Sequence, residues 1–131
     1  MPVSDSSATV TALVSERGAD VYSRLCPSRV VLEHVTSRWG VLVLAALSER
    51  TYRFSELRRR VDGVSEKMLA QTLQTLEHDG FVLRQAFPVI PPHVEYSLTE
   101  LGREAAELVV QLAVWAQRRM PDVLAARAAS S

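Results

Sequence analysis

The chain has 131 residues, 47% of them hydrophobic and 23% charged, which suits one compact domain and excludes a fibre or a disordered chain. Fifteen basic residues balance fifteen acidic ones, so a uniformly cationic binder of polyanions is excluded. The longest apolar run, Val41 to Leu47, falls far short of the roughly 20 residues of a membrane helix, and Cys26 is a lone cysteine, so a cytoplasmic protein with no membrane partner is expected.

Met1 to about Ser7 is small and polar and reads as a tail. From Thr9 the residues Val10, Leu13, Val14, Arg17, Val21 and Leu25 recur at helical spacing, which predicts a helical arm within residues 1–25. Cys26-Pro27-Ser28 interrupts this pattern, with Ser28 as the expected cap of a helix from about Arg29 to Leu47 that Gly40 divides or bends. Ser55 is expected to open a short helix, Glu56 to about Val61, which the Asp62-Gly63 turn stops. Ser65 caps a further helix that Gly80 ends. The period then changes to two: residues 81–87 and 93–98 read as strands joined by a stiff, proline-rich tip. Thr99 caps a last helix that Pro121 should end, leaving 122–131 as a tail.

The fold class this order predicts is a mainly α winged helix-turn-helix with a small β-hairpin, occupying residues 26–99, followed by a dimerisation helix over 100–121. In the helix after Ser65, Leu69, Leu73 and Leu76 fall within about 60° of one another and must face the core. Lys67, Gln71, Gln74 and His78 lie opposite, a cation and two amides suited to phosphate and to base edges, the alternative being a merely solvated polar face. Between Arg50 and Thr75 six basic residues face three acidic ones, a local positive excess. Arg53, Arg58, Arg59 and Arg60 are candidate contacts to the DNA backbone. Pro91, Pro92 and His93 form the candidate wing.

These residues carry a family resemblance. Cys26-Pro27, Arg38-Trp39, the run Arg53 to Arg58, Val64 to Leu69, Leu76 to Gly80 and Pro91 to Gly102 together resemble the HxlR-type winged-helix regulators, relatives of the MarR group, over the stretch from Cys26 to Ala105. The resemblance implies a bacterial transcriptional regulator, read as a repressor, whose homodimer binds a palindromic DNA operator. Its recognition helix would run from Ser65 to Asp79 and its wing from Pro88 to His93. His93 departs from the Arg or Lys usual in the family after the paired prolines, and it is mostly neutral at an unperturbed pKa of roughly 6.5. The segment before Cys26 also looks longer than the family needs.

On the last helix Leu101, Leu108, Leu112 and Trp115 form an apolar stripe that a partner helix would cover. Cys26, near Arg24 and Arg29 and just before a helix, is a candidate sensor of oxidants or electrophiles; the alternative is a cysteine that packs as a small hydrophobe. Tyr22, Trp39 and Trp115 are a candidate small-molecule pocket between subunits, with plain core packing as the alternative. The sequence holds no metal-ligand spacing, phosphate loop or nucleophile elbow, so neither an enzyme nor a cofactor is expected. A winged helix used to dock proteins is the remaining rival.

Overall fold

A computed structural model describes residues 20–130. The chain divides into two units, residues 1–34 and 35–131. Of the expected N-terminal arm, residues before 20 lie outside the described part, and residues 21–25 form turns and a bend instead of helix. An Asx-type bond from the Tyr22 N–H to Asp20 Oδ1 at 3.0 Å holds the first of these turns.

Helix α1 spans Pro27–Thr36 and α2 spans Arg38–Glu49. Two positions differ from expectation. Pro27 is the first helical residue, where its missing N–H costs nothing, so Cys26 and not Ser28 stands at the boundary. The division falls at Ser37, whose backbone is extended and whose hydroxyl accepts the Gly40 N–H at 3.1 Å. This cap satisfies an orphan donor of the new helix, and Gly40 is simply buried inside α2.

Strand β1, Tyr52–Arg53, leads directly into α3, Phe54–Arg60. The helix starts before Ser55 because the Glu56 carboxylate reaches back to the Arg53 N–H at 2.9 Å. Helix α4, Glu66–His78, is capped as expected by Ser65, whose Oγ accepts the Met68 N–H at 3.1 Å. Gly63 and Gly80 adopt the left-handed conformation at the ends of the two helices.

Strands β2, Val82–Phe87, and β3, His93–Leu98, form the hairpin, and β1 adds a third strand in the order β1-β3-β2. Tyr52 pairs with Tyr96 and Arg53 with Glu95. Two residues are too few for alternation to reveal, which is why β1 escapes a sequence reading.

Helix α5 spans Glu100–Ser130, with Pro121 inside it, so the expected stop and the tail over 122–131 are not observed. The φ that Pro imposes is helical. Its cost is one lost backbone bond and local crowding, while the alanine-rich stretch beyond it has the highest helix propensity available. An Arg119 to Asp122 ion pair at 3.1 Å brackets the proline.

In the second unit α2 packs on α5 and α4, and Leu44, Leu57, Leu69, Leu73 and Leu76 are fully buried. No single helix among the described residues is long and apolar enough to cross a membrane.

Candidate nucleic-acid interface

The α4 wheel comes out as the spacing predicts. Leu69, Leu73 and Leu76 are buried, while Lys67, Gln71, Gln74 and His78 are exposed along one side. Burial of three leucines fixes the rotation of the helix, and that rotation turns the polar face outward. Among the described residues Lys67 has no ionic partner, so its ammonium is available.

The arginines of α3 divide. Arg60 is held by Glu49 through two bonds of 2.7 and 2.9 Å, and the Tyr52 hydroxyl donates to the same carboxylate at 2.9 Å. The Arg60 bonds, with Tyr52 next, pull the Glu49 carboxyl from its ordinary 4.5 to about 2, and they raise Arg60 in turn. Arg60 therefore clamps α3 to α2. Arg59 has no ionic partner among the described residues, and Arg58 sits 3.8 Å from the largely exposed Glu66, a pair that water screens. Arg53 is exposed on β1 beside the start of α3.

The wing tip, residues 88–92, is exposed and uncharged, with Ile90 99% accessible. His93 turns inward instead of toward the tip. Its ring stacks on Phe87 at 4.9 Å and its Nε2 lies 2.9 Å from Glu95 Oε2. The shared face of His93 and Glu95 was legible from strand alternation, whereas the stacking on Phe87 needed the hairpin register.

Cys26 is buried. Burial pushes its thiol up, but bonds from the Ser28 and Arg29 backbone N–H groups and the Ser28 hydroxyl outweigh this and leave it below its ordinary value. Arg29 contributes through its backbone, since its guanidinium goes to the Tyr22 carbonyl at 2.8 Å and to Glu33 at 3.3 Å. Of the aromatic residues, Tyr22 is exposed, Trp39 carries the Arg38 guanidinium 4.4 Å over its ring, and Trp115 is half-exposed on α5. Neither Trp39 nor Trp115 lines the cleft between α2, β3 and α5 described below. No cluster of metal-ligating side chains occurs among the described residues.

Residues 34–123 match the family model of the HxlR-like helix-turn-helix. The chain belongs to the HxlR-like helix-turn-helix family. An uncharacterized HTH-type transcriptional regulator of Escherichia coli (strain K12), YtfH, is 62% identical over 108 residues, covering 82% of this chain and 86% of the relative. A solved structure of ytfH, a candidate transcriptional regulator from Salmonella typhimurium, superposes with a TM-score of 0.79 at 59% identity, over 83% of this chain and 97% of the other. The redox regulator HypR in its reduced form gives a TM-score of 0.67 at 34% identity, over 76% and 98% of the two chains. This HxlR-like protein is thus a winged helix-turn-helix transcriptional regulator, and its relatives are named as regulators and not as enzymes.

Proposed function

We propose that the chain binds a palindromic DNA operator as a homodimer, with α4 in the major groove of each half-site. The observation that carries this reading is the outward row of Lys67, Gln71 and Gln74 on a helix capped by Ser65, flanked by the guanidinium groups of Arg58 and Arg59. Lys67, Arg58 and Arg59 meet phosphates, and the two amides read base edges, adenine being the base an amide pairs with in bidentate fashion. Arg53 sits where β1 enters α3 and adds a further backbone contact. Pro91 and Pro92 stiffen the wing, which approaches DNA with an apolar tip while His93 braces the hairpin from within.

The dimer forms through α5. Leu101, Leu108, Leu112 and Trp115 are each half or more exposed in the single chain, an apolar stripe that a second α5 would cover. Two reading heads related by a two-fold axis then require half-sites about one DNA turn apart, or a multiple of it.

Cys26 is the proposed signal input. Its depressed thiol favours thiolate, and a structurally similar protein, HypR, is named a redox regulator. As the lone cysteine it can pair only with a second subunit or with a small thiol, or add to an electrophile. Intact mass after diamide or quinone treatment, alongside DNA release by wild type and Cys26→Ser, checks this. Equal release by both proteins removes Cys26 from the mechanism.

Gel-shift titration against the upstream region of the protein's own gene tests the DNA reading. Lys67→Ala should weaken binding to all sequences alike and reduce the slope of log affinity against log salt by about one. Gln71→Ala should instead cost about 1–3 kcal/mol at the operator with the slope unchanged. Absence of any sequence-selective shift at low salt would leave a docking module as the better reading.

A further inference from the structure

A cleft of about 540 Å³ opens in the second unit between the C-terminal end of α2, the last residues of β3 and the first half of α5. Its apolar lining comes from Leu47, Leu98 and Val110, and Arg50, Arg103 and Glu107 stand around it. We propose that this cleft is an effector site for a small apolar carboxylic acid that also carries a hydrogen-bond donor.

The chemistry of the lining selects that class. A guanidinium offers five N–H donors in a planar fork, and Arg103 spends one of them, on the Leu98 carbonyl at 3.3 Å. The rest of the fork is placed to receive a carboxylate in bidentate fashion beside an apolar wall. Glu107 follows one helical turn later and has no ionic partner among the described residues, so it accepts from a hydroxyl or amine on the ligand. The volume lies within the range of small-molecule sites, and an apolar body with one charged end is the usual occupant of such a lining.

The proposed dimer leaves this site open. At 100° per residue the α5 surface divides into three sectors about 120° apart. Gly102, Ala106 and Val109 face the core, Leu101, Leu108, Leu112 and Trp115 form the exposed stripe, and Arg103, Glu107 and Val110 line the cleft. A partner helix on the stripe does not occlude the third sector.

A route to DNA runs through Arg50. Its guanidinium lies 3.8 Å over the Tyr52 ring and 3.6 Å from Glu56 Oε1, the carboxylate that fastens the Arg53 N–H at the start of α3. A carboxylate in the cleft competes for Arg50 and loosens that fastening, which shifts the helix bearing Arg58 and Arg59. This coupling rests on the DNA reading above; occupancy of the cleft does not.

The experiment has two arms. In the absence of DNA, 6-hydroxy-2-naphthoate is titrated into the full-length protein by calorimetry, with its methyl ester as the uncharged control. Saturable binding is expected, at least tenfold weaker for the ester and for Arg103→Gln, and severalfold weaker for Glu107→Gln. Val110→Glu, which puts a carboxylate into a partly exposed part of the lining, should abolish binding with thermal stability retained. Equal binding of acid and ester, indifference to Arg103→Gln, or no saturation below about 10 mM overturns the site. In the second arm, saturating naphthoate should shift the half-saturating DNA concentration at least threefold for wild type and not for Arg103→Gln. Binding that leaves DNA affinity unchanged overturns the effector role. Failure to bind DNA even without the probe would fault the DNA reading while the first arm still judges the cleft.

Discussion

Gly102 shows how much one missing carbon can hold together. A Cβ there would lie 1.9 Å from the Phe81 carbonyl oxygen, a backbone atom that cannot swing aside. Phe81 also ties the last turn of α4 to the sheet, its N–H donating to Leu76 O and its carbonyl accepting the Thr99 N–H. Gly102→Ala should therefore cost about 3 kcal/mol or more, measured by urea denaturation, although Ala is the better helix former by about 1 kcal/mol. A near-neutral result would mean that α5 can slide away from Phe81. The sequence placed Gly102 in a helix but held no sign of the crossing, because a close approach depends on a distant backbone. Partners of the same kind were hidden elsewhere. Arg58, Arg59 and Arg60 look alike in a row, and only the proximity of Glu49, eleven residues before Arg60, separates the clamp from its neighbours.

That clamp acts at the scale of elements, since it joins the end of α2 to the end of α3. Glu49 is depressed from 4.5 to about 2 by Arg60 and Tyr52, so its contribution to stability is complete above about pH 4.5 and is lost as pH falls toward 2. Glu49→Gln should lower the denaturation midpoint at pH 7 and flatten the loss of stability between pH 4.5 and 2. A variant with the wild-type acid limb would show that Arg60 finds another partner. Elements with strong periodicity and a hydroxyl cap were legible beforehand: α4 and its Ser65 cap, both hairpin strands and the Thr99 start of α5, where Thr99 Oγ1 accepts the Gly102 N–H at 2.9 Å. Boundaries set by competition between local choices were not. Ser37 outbid Gly40 as the break because a side-chain acceptor satisfies a free N–H, which glycine cannot do. Pro121 failed as a stop because the helix resumes on favourable residues beyond it.

At the scale of the whole molecule the exposed stripe of α5 is the feature that a lone chain leaves unbalanced. Leu108 is 68% exposed and Leu112 and Trp115 about half, at sites where a solitary surface helix would carry polar residues. Leu108→Asp together with Leu112→Asp should convert the protein to a monomer in analytical ultracentrifugation. Operator affinity should fall by at least tenfold, with the fold kept by circular dichroism. A double variant that stays dimeric would move the interface elsewhere. The polar row on α4 and the apolar row on α5 were both readable from helical spacing. The α2, β3 and α5 cleft was not, because its lining is drawn from three segments that only the fold brings together.

The corner at Gly80 and Phe81 gives the assembly a mechanical character. Two residues separate the end of the Asp79 cap from β2, the Thr99 hydroxyl grips the Gly80 carbonyl at 2.6 Å, and Gly102 presses on Phe81. Helix α4, the wing and the root of α5 therefore meet at one closely bonded joint. In the dimer proposed to form through α5, any signal that tilted one long helix against its twin would swing a complete winged helix-turn-helix head as a lever swings its load. On the proposed dimer and operator, what would change is the gauge between two unaltered heads, and an operator of fixed spacing would be released once that gauge no longer fitted.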